Sequence, residues 1–570
     1  MAKTKTSKKR QPWSHRMWAR LVAYARANPV DAAIWAAGAA LALVAVGLFL
    51  ARAIPQNFSG EAFYDFQYPY RYSFLESSRV FFMERIRSRL VHGIFVSALY
   101  HTFGFNPPAI YLSAFLTIIA TAVVITFTIK RFIRSPWMAA LLVVTFTWLP
   151  LNITDLMALK KIHHVLGWFL FWLAVLLFQS WVSNKRVAWL LGATLAFLAS
   201  VLSYEAALAL LPVAVILSAH HIRGLKDWAN KLGVAIWITL LSGLVILNLE
   251  TLKPFSGIGQ VYSADLFAPG HIFQSAAAQI PQIPAAIWRG VLFGDGGFTS
   301  GALLFAQALL VLLLIGIIFV LWRAFSVAKT KKRHVNDALV LCVAGAFLAA
   351  ANYAPFLLAG QPPDGDSLRG AAFGLILVAL GSALLFSSQW RQRAWMGRLA
   401  LVAVCGFWIY AGGSAYAQLL DTARHVEDVI RNFAVTLKVQ IPEVPAGTEF
   451  IFVNAGLGRT GCIGALNMLY DQGDLHCIHL LAGDTQETYV RVADGLQETG
   501  RRLFPDRFII LTFDAEGRVT IIDELGAEAY ADIPVTWQSS EPLHTDRSLI
   551  LPLSPGENLD FYNYVLGLEP

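Results

Sequence analysis

Charge is scarce in this chain. Asp, Glu, Lys and Arg together make up 14% of its 570 residues, against about 25% in an average soluble domain. Apolar residues make up 56%. That balance excludes an ordinary soluble enzyme and points to a chain immersed in lipid. Cysteine is scarcer still, with four residues, none at zinc-ligand spacing. No Gly-rich nucleotide-binding fingerprint is present, and no internal repeat. The net charge of +8 is not a nucleic-acid signal, because much of the excess sits in the first 26 residues and in short loops.

Long runs without charge recur between Pro29 and about Leu420. About 20 apolar residues cross a bilayer as a helix, since only a helix satisfies its own backbone bonds in hydrocarbon. About eleven spans are expected on a sliding hydropathy window. They fall near 30–53, 107–129, 135–151, 163–182, 187–203, 205–220, 232–249, 301–323, 336–358, 370–388 and 399–418. Basic clusters follow every second span: Lys130, Arg131 and Arg134; Lys185 and Arg186; Arg223, Lys226 and Lys231; Arg323, Lys329, Lys331, Lys332 and Arg333; Arg391, Arg393 and Arg398. By the positive-inside rule the N-terminus is cytoplasmic and the chain after about Asp421 is outside. The pair 187–203 and 205–220 is joined only by Ser203-Tyr204-Glu205, and reads either as half-helices or as a tight hairpin.

The expected organisation has three parts. Residues 1–29 form a basic cytoplasmic tail near anionic headgroups. Residues 30–420 form the membrane domain, with long outer loops at 54–106 and 250–300. Residues 421–570 form an extracytoplasmic domain. In that last part, EFIFVNA, LHCIHLL, RFIILTF and VTIID read as strands. The fold class is therefore mainly α, a polytopic bundle, plus a small C-terminal α/β or α+β domain. Within the first outer loop, Leu75 to Phe103 is amphipathic and suits a helix lying in the outer interface. Cys342 and Cys405 fall inside spans as packing residues. Cys462 and Cys477 lie outside, where a disulfide can persist.

Several constellations carry possible chemistry. Glu61 and Asp65 stand four residues apart among Tyr64, Tyr68, Tyr70 and Tyr72. On a helix both carboxylates share a face. Rings stack on sugars, and a partly desolvated carboxylate acts as a general base. The alternative is a solvated loop with interfacial tyrosines. Asn152-Ile153-Thr154-Asp155 is followed by Lys160, Lys161, His163 and His164 at an outer membrane end. Four cationic groups there suit a lipid phosphate, or else snorkel to the interface. Glu205 lies between two apolar stretches, either facing a cavity or sitting at the outer surface. Arg369 opens a late span behind Asp364-Gly365-Asp366, as a phosphate ligand or a helix-end anchor. The segment Ala455-Gly456-Leu457-Gly458-Arg459-Thr460-Gly461 looks like a tyrosine-phosphatase loop. Val453 stands where the nucleophilic Cys is needed, so that chemistry is excluded.

SGEAFYDFQYPY after the first span, the amphipathic RVFFMERIRSRLVHGIFVSALYHTFGFNPP, the SYEAALALLP segment and Arg369 together resemble the GT-C class of integral-membrane glycosyltransferases. The nearest branch contains the protein mannosyltransferases and the aminoarabinose and lipopolysaccharide-core sugar transferases. The resemblance implies a plasma (inner) membrane enzyme. No cofactor is expected, and a divalent metal is left open. The resemblance also implies a polyprenyl-phosphate sugar as donor, membrane lipids as surroundings and no nucleic-acid partner. Asp65, or failing that Glu61, would deprotonate the acceptor hydroxyl. Lys160, Lys161, His163, His164 and Arg369 would meet the leaving phosphate, and Glu205, Tyr64 and Tyr68 would line the site. The adjacent Asp-Glu pair of the mannosyltransferases is absent, which leaves the base open between Asp65 and Glu61. The rival readings are a transporter or flippase and a non-catalytic anchor for the C-terminal domain. Convergence of Asp65, the Lys160 region and Arg369 on one outer site favours the enzyme.

Overall fold

The computed structural model of the chain describes residues 22–58, 62–84, 89–133, 135–159, 162–204, 207–251, 274, 277, 332–359, 369–389, 394–444, 448–453, 459–471, 475–480, 507–513 and 518–526. The first span is helix α1, Pro29–Leu50. Three short helices follow in the loop after it: α2, Ala62–Arg71, α3, Phe74–Glu84, and α4, Leu90–Phe103. Next come α5, Pro107–Ile129, α6, Pro136–Thr147, α7, Pro150–Ala158, and α8, Ile162–Asn184. Then come α9, Val187–Val201, the short α10, Val213–Leu217, and α11, Leu225–Thr251. The membrane part closes with α12, Lys332–Ala359, α13, Arg369–Gln389, and α14, Ala394–Gln440. Proline opens α1, α5 and α6, where its missing N–H costs nothing.

Among the described residues, seven helices are long and apolar enough to cross a membrane, or eight if the bent pair α6 and α7 counts as one span. About eleven were expected. The described residues depart from the expectation in the following places. The expected span 135–151 is broken, α6 and α7 meeting at 42°, because Pro150 disfavours a helical conformation at Leu149. The expected span 205–220 is not a helix. From Leu202 the described backbone runs in turns through Pro212 into the single turn of α10, with its apolar side chains buried; the half-helix alternative fits this better than the hairpin. The expected span 301–323 and the expected loop 250–300, except residues 250, 251, 274 and 277, lie outside the described residues, as do the side chains of Cys462 and Cys477. The interfacial helix expected over Leu75–Phe103 is two helices, α3 and α4. Of their apolar residues Val80, Phe81, Val96 and Leu99 are buried in the protein, whereas Leu75, Ile94 and Phe103 are exposed.

Ion pairs mark one rim of the bundle. Lys130, after α5, meets Asp31 in the first turn of α1 at 3.0 Å, and Arg131 meets Asp337 of α12 at 3.2 Å. Such half-exposed pairs add little stability, but they place those helix ends on one side. That side carries the basic loops.

Helices α12 and α13 pack backbone against backbone. A Cβ on either Gly345 or Gly374 would stand 2.3 Å from the other's carbonyl oxygen. Backbones approach this closely only where both residues lack a side chain, the usual packing device in lipid. Gly374→Val is expected to destabilise the folded protein by about 1–3 kcal/mol through overpacking. Thermal unfolding in detergent checks this; an unchanged midpoint would contradict the contact.

Helix α14 does not end at the expected boundary near 421 but continues to Gln440. Its distal part buries Val429, Ile430, Phe433 and Leu437. Beyond it lie β1, Glu449–Val453, α15, Arg459–Leu469, β2, His476–Leu480, β3, Arg507–Phe513, and β4, Val519–Gly526. The sheet order is β2-β1-β3-β4. β1 is parallel to both neighbours, and β3 is antiparallel to β4. All four strands fall on the four β-rich runs of the sequence. The Tyr470 hydroxyl, just after α15, donates to the carbonyl of Ile441 at 2.9 Å. Burial pushes its pKa up, so it stays a donor.

Candidate functional site

Helix α2 carries the first acidic candidate. Phe63, Phe66 and Tyr70 on this helix are buried in the core. Phe58 stacks on Phe66 at 4.5 Å and meets Phe63 and Phe105 edge-on. This clamp fixes the helix so that Asp65 points inward, only 1% exposed. There its carboxylate lies 3.2 Å from Nε2 of His92 on α4.

From His92 a chain of side chains crosses the site. The His92 ring meets the His163 ring edge-on at 5.1 Å. His163 also takes Arg89 at 3.1 Å on its Nε2. Next to it, His164 turns Nδ1 to the carboxylate of Asp155 on α7, at 3.2 Å. Asp155 in turn pairs with the guanidinium of Arg369, the first residue of α13, which also donates to the carbonyl of Leu151 at 3.0 Å. The ring of Tyr204 lies against His164 at 4.0 Å between centroids. Gly167 makes room for it: a Cβ there would stand 2.7 Å from Cβ of Tyr204. Thus α2, α4, α7, α8 and α13 each contribute a residue to one buried cluster. Leu159, between α7 and α8, has φ +44°, a left-handed conformation costly for a branched residue and concentrated at functional sites.

The break at Pro150 creates this arrangement. A straight helix through 135–158 would carry Asp155 onward along the axis of α6. The bend of 42° instead sets α7 across the starts of α8 and α13, where Asp155 reaches His164 and Arg369. The two aspartates and two arginines of the cluster cancel in formal charge. Buried carboxylates and guanidinium groups persist only when paired in this way.

The expected residues divide as follows. Asp65, His163, His164 and Arg369 are brought together. Tyr68 is buried against Phe81, with ring centroids 5.8 Å apart, and Phe81 in turn meets the His92 ring at 5.2 Å. Glu61, Lys160, Lys161 and Glu205 lie outside the described residues, as does the side chain of Tyr64. Among the described residues no group of three or more His, Cys, Asp or Glu is arranged to hold a metal ion.

No protein-family model matches the sequence, and no curated protein matches it. Among solved structures, the chain is similar to the crystal structure of ArnT from Cupriavidus metallidurans in the apo state. The two are 14% identical, with 82% of this chain and 92% of that chain covered and a TM-score of 0.32. A TM-score of that size does not establish a common fold.

Sequence reasoning missed His92, Arg89 and Tyr204, and missed that Asp155 partners Arg369. Asp155 lay in a noted polar run. His92 gave no signal, because a single His within an amphipathic helix becomes meaningful only when Asp65, twenty-seven residues away, is placed beside it.

Proposed function

We propose that this protein is a membrane glycosyltransferase that moves a sugar from a polyprenyl-phosphate donor to an acceptor hydroxyl at the outer face, with inversion. The observation that carries the reading is the continuous cluster joining Asp65 to Arg369 through His92, His163, His164 and Asp155. It sets a candidate general base and candidate phosphate ligands at one end of the bundle. The resemblance to GT-C glycosyltransferases in the first outer loop adds to it.

In this reading the acceptor O–H gives its proton to the Asp65 carboxylate. The acceptor oxygen bonds to the anomeric carbon. The bond from that carbon to the phosphate oxygen breaks, and its electron pair leaves with polyprenyl monophosphate. His92 orients the Asp65 carboxylate and steadies its charge. Pre-placed cations stabilise charge as it develops on a leaving group. Within the cluster the two arginines are matched in formal charge by Asp65 and Asp155, so the excess positive charge for a phosphate comes from Lys160 and Lys161. The histidines add hydrogen-bond donors. In this orientation the N-terminus is cytoplasmic and the sheet after α14 is extracytoplasmic.

Sealed right-side-out vesicles test the reading. A short-chain polyprenyl-phosphate donor with a labelled sugar, added outside, is expected to lose its label to an acceptor. Appearance of intact donor in the lumen would instead make the protein a transporter.

A further inference from the structure

The C-terminal sheet grips the helix that carries Asp65. Asn467, in the last turn of α15, is 2% exposed. Its side-chain amide donates to Oε1 of Gln67 on α2 at 3.2 Å. Its backbone carbonyl accepts from the guanidinium of Arg71, also on α2, at 2.8 Å. The same side chain accepts the backbone N–H of Leu475 at 3.0 Å, fixing the start of β2. Asn467 therefore ties α15, β2 and α2 together at one point.

The geometry is specific to α2. Gln67 and Arg71 are four residues apart and share one face. Asp65 precedes Gln67 by two residues, about 200° around the helix, and so points the other way. Helix α2 is held on one side by His92, through Asp65, and on the other by α15, through Gln67 and Arg71. Arg71 sits where a cation is favoured, against a carbonyl in the last turn of α15. The same region holds the loop's beginning. Glu427 of α14 accepts the backbone N–H of Asn57 at 3.1 Å, and also that of Gln56.

We infer that the C-terminal sheet is a positioning element of the transfer site, with Gln67, Arg71 and Asn467 as positioning residues that set Asp65. The inference rests on the glycosyltransferase reading. It makes the sheet part of the catalytic apparatus rather than a passenger on the outer surface. A misplacement of about 1 Å at a reacting group is enough to cost about 10²-fold in rate.

Full-length Gln67→Ala and Arg71→Ala test it, since both leave the contacts of Asn467 with its own sheet untouched. Each is expected to lower kcat about 10–100-fold with the donor KM within about twofold, because the phosphate ligands stay in place. Arg71→Lys is expected to recover much of the loss, since it keeps a cation at the end of α15. Amide exchange over residues 62–71 is expected to quicken in both alanine variants. Unchanged exchange would overturn the inference whatever the protein does. Faster exchange with normal kcat would show a structural contact only, and would also overturn it. If the wild type transfers no sugar while exchange quickens, the glycosyltransferase reading falls, and the positioning role falls with it.

Discussion

Asp65→Asn is expected to lower sugar transfer by about 10²–10⁴-fold, the usual cost of removing a general base. Asn has the same shape and still meets His92, so the fold of α2 should survive. It cannot take a proton from the acceptor at neutral pH. Donor binding should be near normal, because none of the residues assigned to the phosphate is on α2. Steady-state kinetics with varied donor would show a fall in kcat at nearly constant KM. Glu61→Gln is expected to be milder. A severe defect in Glu61→Gln alone, with Asp65→Asn active, would move the base to Glu61.

The second large effect is expected at the Asp155–Arg369 pair. Both side chains are almost wholly buried. Removing one partner leaves an uncompensated buried charge and costs about 3–5 kcal/mol. Asp155→Leu and Arg369→Met should therefore each lower the unfolding midpoint sharply. Replacing both together removes the two charges at once. Buried pairs replaced by apolar residues of similar size are often neutral or more stable, so the double variant should regain most of the lost stability. It should not regain transfer, because the group that orients His164 and the cation opening α13 are both gone. A double variant that is stable and fully active would make the pair a structural tie with no part in the chemistry.

The two kinds of element were legible to different degrees. Spans such as α5, α8 and α13 follow directly from runs without charge, since lipid leaves the backbone few choices. The four strands stood out for a similar reason, as short β-branched and aromatic runs set among polar sequence. The broken span did not stand out, although Pro150 was visible, because hydropathy is blind to direction. The length of α14 was hidden too. Asp421, Arg424, Glu427 and Asp428 end the apolar window, but they continue one helix that leaves the membrane and supports the sheet. At the site, Asp65, His163, His164 and Arg369 were readable as residues out of place in an apolar chain. Their partners were not. His92, Arg89 and Tyr204 acquire meaning from contacts between distant segments, and no local pattern encodes those.

The measurement that bears most directly on the central claim is product stoichiometry in a single turnover. Purified wild-type protein would be mixed with a polyprenyl-phosphate donor and a membrane extract as the source of acceptor. Sugar transferred and free polyprenyl monophosphate would be counted together. The account predicts one free polyprenyl monophosphate for each sugar transferred, with the anomeric configuration inverted and both products lost in Asp65→Asn. An intact donor at the end of the reaction, or transfer that persists undiminished without the Asp65 carboxylate, would contradict it.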